Sequence, residues 1–177
     1  SARQPDVIEK TFPLKMGGRL TLDLDTGGRI DIVGWAKEEI AVTAEIDGDD
    51  AEDVNVEFDE TGRGLRIHSS CDYRWHCDAD VRLTLKVPER CDVSIDSKGG
   101  SVDIEGVAGP FTGKTMGGSI ELLRVKGKVD LETMGGSIDV VDCEADGKVQ
   151  TMGGSVRIEN VKGNLKGSTM GGSVTYN

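Results

Sequence analysis

The sequence predicts an all-β chain, a right-handed single-stranded parallel β-helix (β-solenoid) with 18-residue coils, preceded by a looser strand-rich half that caps it. Three observations predict it. The pentapeptide Thr-Met-Gly-Gly-Ser stands at 115–119, 133–137, 151–155 and 169–173, always eighteen residues apart. A fixed period of this length marks a repeated structural unit. Between the repeats, apolar and polar residues alternate in short runs bounded by glycine, which is strand patterning rather than helix patterning. Glycine supplies 25 of the 177 residues and proline only 4, so turns are abundant and collagen is excluded.

One coil, Met116–Thr133, shows the design. Ile120 and Leu122 share one face, Val125 follows a bend, and Val129 and Leu131 continue on the same face. One period later the slots hold Ile138, Val140, Cys143 and Val149, and the next coil has Val156, Ile158, Val161 and Leu165. One period earlier they hold Val102, Ile104, Val107 and Phe111, after the variant corner Lys98–Ser101. A coil this short has no core of its own and is stable only when stacked. Stacked coils lie about 4.8 Å apart, and parallel crossovers favour right-handed winding.

The corners repeat for the same reason. Gly-Gly is expected to supply backbone angles that a Cβ would resist. Thr115, Thr133, Thr151 and Thr169 have core parity and can hydrogen-bond at the corner, with Ser101, Ser119, Ser137, Ser155 and Ser173 as a second column. Met116, Met134, Met152 and Met170 have the opposite parity. They either fill a corner gap as flexible thioethers or form an exposed apolar strip that docks a partner. Copper(I) on a thioether ladder is the third reading, with no His or Cys in register to assist it.

Outward columns mix charge signs from coil to coil, as in Asp103, Glu121, Asp139 and Arg157, or Thr112, Asp130, Lys148 and Lys166. A flat uniform Thr face for ice is absent, and so is the tandem Gly-Gly-x-Gly-x-Asp pattern of a calcium roll. The last residues fill one strand of a further coil, where Tyr176 takes the slot of Leu122, Val140 and Ile158. Tyr176 is the candidate end cap; the alternative is an end that pairs with a second copy.

Before residue 91 the pattern is looser. Leu20–Trp35 resembles a coil without the Met, and several alternating runs follow. The acidic turn Asp47–Asp53 reads as a solvated connection, with a calcium loop the lesser reading. One continuous domain over 1–177 is expected, with an irregular cap over 1–90 and regular coils over 91–177. Cys71 and Cys77 flank a polar, aromatic loop and are the candidate disulfide, which implies an oxidising compartment. The alternative there is a zinc site completed by His68 and His76, at a spacing that matches no standard knuckle. Cys143 sits in a core slot as a free thiol, and Cys91 lies about 14 Å from it by the coil spacing, too far for a bridge.

Net charge is −11, from 21 Lys plus Arg against 32 Asp plus Glu, which disfavours nucleic acid and anionic membranes. No apolar run is long enough to span a bilayer. The chain starts at Ser1, consistent with a removed signal peptide or tag. Stacked carboxylates such as Glu121 and Asp139 have nothing to bury them and raise their pKa, and the two histidines offer no Ser-His-Asp set. No catalytic residue, metal ligand or cofactor is therefore assigned.

The tandem Thr-x-Gly-Gly-Ser corners, the "GGRIDIVGW" segment and the junction "VRLTLKVPERCDVSIDSKGGSVDIEGV" resemble the bacterial "putative adhesin" family from about Val7 to Tyr176. That resemblance implies a β-helix exported to the cell envelope, without established catalytic residues. Its corners are more often Asn-Gly, so the Met column departs from the pattern. The expected function is a non-catalytic, extracytoplasmic, adhesin-like binding module for a surface polymer or protein. The alternative is a structural element that self-associates through the solenoid ends.

Overall fold

The computed structural model describes residues 6–72 and 76–177. Its strands are β1 (Asp6–Pro13), β2 (Gly18–Leu24), β3 (Ile30–Trp35), β4 (Glu39–Asp47), β5 (Val54–Thr61), β6 (Gly64–Cys71), β7 (Asp80–Pro88) and β8 (Cys91–Ser97). There follow β9 (Val102–Glu105), β10 (Phe111–Thr115), β11 (Ile120–Leu123), β12 (Lys126–Thr133), β13 (Ile138–Thr151), β14 (Val156–Lys162), β15 (Leu165–Thr169) and β16 (Val174–Tyr176). A 3-10 turn at Ala51–Asp53 is the one helical segment among the described residues. The chain is all-β, and its strands join one sheet that is not closed on itself.

Two ladders account for the sheet. The first runs β7–β3–β9–β11–β13–β14–β16, all parallel, and the second runs β6–β2–β8–β10–β12–β13–β15, also parallel. β13 belongs to both: Ile138–Val141 pairs in the first ladder, and Gly147–Thr151 in the second. From β10 onward each residue lies beside the one eighteen positions later, as in Thr115↔Thr133 and Thr133↔Thr151. Inward residues of both ladders merge into one apolar cluster, in which Ile104, Phe111, Leu122, Val125, Val129 and Val140 are all at most 1% exposed.

Parallel stacking begins well before residue 91. β2 lies between β6 and β8, while β3 lies between β7 and β9. The 64–88 segment therefore sits outside the 18–35 segment, reversing chain order. The antiparallel pairs among the described residues are β1–β4, β4–β7 and β5–β6, so β1, β4 and β5 flank the parallel ladders at that side. An eighteen-residue period cannot reveal this, because Leu20 pairs with Val93 and with Leu65.

The backbone-angle role expected of the corner glycines holds at Gly28 and Gly100, with φ of 133° and 97°, and gives way to a different cause at the Thr-Met-Gly-Gly-Ser corners. None of Gly117, Gly118, Gly135, Gly136, Gly153 and Gly154 has a positive φ. The second glycine is required by approach: a Cβ on Gly118, Gly136 or Gly154 would stand 2.0, 2.4 or 2.3 Å from the carbonyl oxygen of the glycine one coil earlier. The left-handed corner is the other one, where Arg124, Asp142 and Asn160 hold φ of 51°, 54° and 51° at equivalent positions. Asn160 Nδ2 donates to Asp142 Oδ1 there at 2.7 Å.

At the Gly-Gly corner the threonine hydroxyl is a working group. Thr115, Thr133 and Thr151 are 0% exposed, and their Oγ1 atoms donate to the carbonyls of Gly100, Gly118 and Gly136 at 3.0, 2.5 and 2.6 Å. Serine oxygens form a second stitch: Ser101, Ser119 and Ser137 Oγ accept from the N–H of Ser119, Ser137 and Ser155 at 3.2–3.3 Å.

The two glycines of one corner should respond differently to a methyl group. An added Cβ at Gly117 meets nothing closer than 3.9 Å, whereas one at Gly118 meets the Gly100 carbonyl oxygen at 2.0 Å. Urea unfolding should place Gly117→Ala within about 0.5 kcal/mol of the parent and Gly118→Ala about 3 kcal/mol below it. Equal losses would contradict the stacking account.

Candidate interaction surface

The outer face of the second ladder carries three adjacent columns, because alternate residues of a strand share a face. Thr112, Asp130, Lys148 and Lys166 form the first, and Lys114, Glu132, Gln150 and Ser168 the second. Met116, Met134, Met152 and Met170 form the third, at the corner. Their backbone N–H groups donate to Ser97, Thr115, Thr133 and Thr151 O at 3.1–3.3 Å, which holds the column in line. The side chains are 45, 37, 38 and 77% exposed. The core parity of Thr115, Thr133 and Thr151 and the outward parity of the methionines are thus both realised, with Met134 and Met152 more than half covered at the corner and Met170 the most open. Beside them lie the exposed Gly117, Gly135 and Gly153, a strip of backbone without side chains.

Other sequence candidates fall elsewhere. Cys71 and Cys77 are joined by a disulfide, so the zinc alternative loses both of its thiolates. His68 turns to the chain instead, its Nδ1 2.9 Å from Asp23 O. Tyr73, Arg74 and Trp75, between the two cysteines, lie outside the described residues, as does Ser1. The acidic turn spends its carboxylates on backbone: Asp47 Oδ1 accepts from Gly48 N–H at 2.8 Å and Asp50 Oδ2 from Asp78 N–H at 2.7 Å. Among the described residues no group of three or more His, Cys, Asp or Glu is placed to hold a metal ion. Tyr176 pairs with Ile158 in the first ladder, while its hydroxyl accepts from Gly167 N–H in the second at 3.0 Å. The ring bridges the two ladders and remains 56% exposed.

Two hollows have no signature in the sequence. One, about 180 Å³, lies on the first ladder over Asp31, Val33, Asp103, Glu105, Glu121 and Leu123. Asp103 there is raised above the usual carboxylate range, chiefly by burial and also by Glu121 and Asp31, against the pull of Arg29. Arg29 bonds both Asp31 and Asp103, and Arg82 reaches Asp31 at 3.6 Å. Arginines from distant sequence already neutralise this column. The other hollow, about 600 Å³, opens between the turns at Leu14–Gly18 and Thr61–Gly64, bordered by Glu38 and Arg63. Loop residues from separated segments meet there, and no motif announces it.

The chain is similar to the crystal structure of a putative cell adhesion protein from Clostridium sporogenes, with a TM-score of 0.52 and 7% identity over 97% of this chain and 99% of that one. The two share a fold. A putative adhesin from Bacteroides fragilis (TM-score 0.36, 13% identity, 97% of each chain) and a putative lipid binding protein from Parabacteroides distasonis (0.33, 11%, 96% of each) are also similar, at scores that add nothing to the fold assignment. No protein-family model and no curated protein matches the chain. The fold shared with the Clostridium sporogenes protein agrees with the all-β fold that the corner motifs' resemblance implies. No helix among the described residues is long and apolar enough to cross a membrane.

The remaining thiols are chemically silent in this arrangement. Cys91 and Cys143 are free and buried; burial pushes the Cys91 thiol up to about 12 and raises Cys143 as well. A thiol so far from ionised is a poor nucleophile at neutral pH. A chromogenic disulfide reagent at pH 8 should detect no thiol in the native protein, two after unfolding without reductant, and four after reduction. Four before reduction would mean that Cys71 and Cys77 are not bridged.

Proposed function

We propose that this chain is a non-catalytic binding module of the bacterial cell envelope or surface. It acts in the manner of an adhesin and contacts a surface polymer or protein. The scaffold is a right-handed parallel β-solenoid, one continuous domain over 1–177, in which each coil repeats the surface of the one before. The Met116–Met170 strip is the observation that carries the reading. Four of the large apolar side chains exposed in the structure stand in one column, and a contiguous apolar strip on a soluble surface is characteristic of contact sites. Thioethers suit such a role, because they adapt to a partner's contour with little steric demand.

Supporting observations come from three sources. The shared fold with a protein described as a putative cell adhesion protein raises the expectation of a surface role by analogy of fold. The Cys71–Cys77 bridge fits an oxidising, extracytoplasmic location. Of the carboxylates stacked on the open face of the first ladder, Asp31, Asp103 and Asp139 are each paired with arginine, Asp139 with Arg157 at 3.3 Å, an arrangement that favours charge balance over acid–base chemistry.

Retention on isolated bacterial envelope preparations tests the reading. The parent protein should be retained saturably. The double variant Met134→Lys/Met152→Lys should lose at least about tenfold of that retention, with an unchanged melting temperature, since both side chains face solvent. Undiminished retention of the folded variant would remove the strip from the function.

A further inference from the structure

We infer that the outer face of the second ladder docks onto the same face of a second copy of this chain, antiparallel, through a two-fold axis between the Met134 and Met152 coils. This rests on reading the Met strip as a contact surface and names its partner.

Charge order along the two polar columns makes this face complementary to itself. Along the first column the coils read Thr112, Asp130, Lys148, Lys166, and along the second Lys114, Glu132, Gln150, Ser168. The Met134 coil is thus acidic on this face, and the Met152 coil is basic. A two-fold axis lying in the interface, parallel to the strands and midway between these coils, keeps each column opposite itself and reverses coil order. Asp130 of one copy then faces Lys148 of the other, twice by symmetry, and Glu132 faces Gln150. Thr112 faces Lys166, and Lys114 faces Ser168. Met134 meets Met152, and Met116 meets Met170. No like charges oppose one another in the four coils, and the apolar column meets only itself.

The parallel alternative fails on the same residues. An axis along the stack reverses column order instead, so the methionines would lie over Asp130 and Lys148. Both arrangements are isologous, the commonest closed arrangement of identical subunits, so charge order and the position of the methionines decide between them. Among the described residues none of Asp130, Glu132, Lys148 and Lys166 is in an ion pair, so the charges are available. The bare Gly117, Gly135 and Gly153 next to the methionines add no side chain that would hold the faces apart.

The patch is small. Twelve side chains per copy are fewer than the roughly 20–30 of a standard stable interface, so a single contact is weak, with a Kd on the order of 0.1–1 mM. Arrays of copies on two facing surfaces would gain from avidity, which is how weak like-to-like contacts hold cells together.

Sedimentation equilibrium of the full chain up to about 1 mM, with Asp130→Lys and Lys148→Asp, tests it. The parent should show a reversible dimer. Each variant alone opposes like charges across the axis and should dimerise at least about tenfold more weakly, with circular dichroism unchanged. An equimolar mixture should recover the parent's association. In the mixed dimer the two substituted positions face each other with opposite charges, and the native Asp130–Lys148 pair remains across the second contact. A monomeric parent at 1 mM, variants that associate like the parent, or a mixture no better than its components would each overturn the proposal. If the parent is monomeric while envelope retention still depends on Met134 and Met152, the strip serves a foreign partner and the like-to-like inference alone falls.

Discussion

The stack depends on one close approach: the carbonyl of a corner glycine occupies the volume where the glycine of the next coil would carry a Cβ. The same carbonyl of Gly100, Gly118 or Gly136 accepts the hydroxyl proton of a buried threonine, as Thr133 does for Gly118 at 2.5 Å. Removing the Cβ lets coils meet at strand spacing, and the threonine satisfies an oxygen that would otherwise be buried without a donor, at a cost of about 1–3 kcal/mol each. Because the corner is identical in each coil, it also sets register. A strand shifted by one residue would turn its apolar side chains outward, so the eighteen-residue spacing and the continuous core are one constraint seen twice.

Much of the regular half is readable from residue order alone. Alternation assigns Val102, Ile104, Ile120, Leu122, Ile138 and Val140 to the interior, and all are at most 2% exposed. The outward parity of the methionines is legible for the same reason. Other features lie beyond that method. Asp25–Arg29 turns the corner in five residues where Lys98–Ser101 uses four, and β2 meets its partners across gaps that no period relates, so the earlier coils read as a cap. Local sequence credits the need for glycine to backbone angles, although the constraint comes from a neighbouring coil that local sequence does not show. Asp142 and Asn160 are a usable signal for the left-handed corner, since short polar side chains tolerate that conformation; Arg124 in the same slot obscures it.

Surface charge contributes a different kind of order. The column Asp31, Asp103, Glu121, Asp139 stacks carboxylates in successive coils of a chain with net charge −11. Arg29 and Arg82 at one end and Arg157 at the other relieve it. These pairs are half exposed or more on the arginine side, where a single bridge is worth little. Their effect is to cancel repulsion that stacking would otherwise accumulate, leaving backbone ladders and core to set stability. Outward columns are then released from folding and are free to specialise.

That freedom gives the methionine column its meaning. Its neighbours on the same face change from coil to coil, with Thr112, Asp130, Lys148 and Lys166 in one column, so the fold tolerates any polar residue there. Lys98 stands in the methionine slot one coil earlier, and it is exposed as well. A corner that accepts lysine does not need a thioether for packing. Four methionines in register still leave part of their apolar surface in water, from 37% of Met134 to 77% of Met170, a cost that scales at roughly 25 cal/mol per Å². Such a cost is offset only when something covers the strip, and the acidic and basic coils beside it determine which surfaces fit.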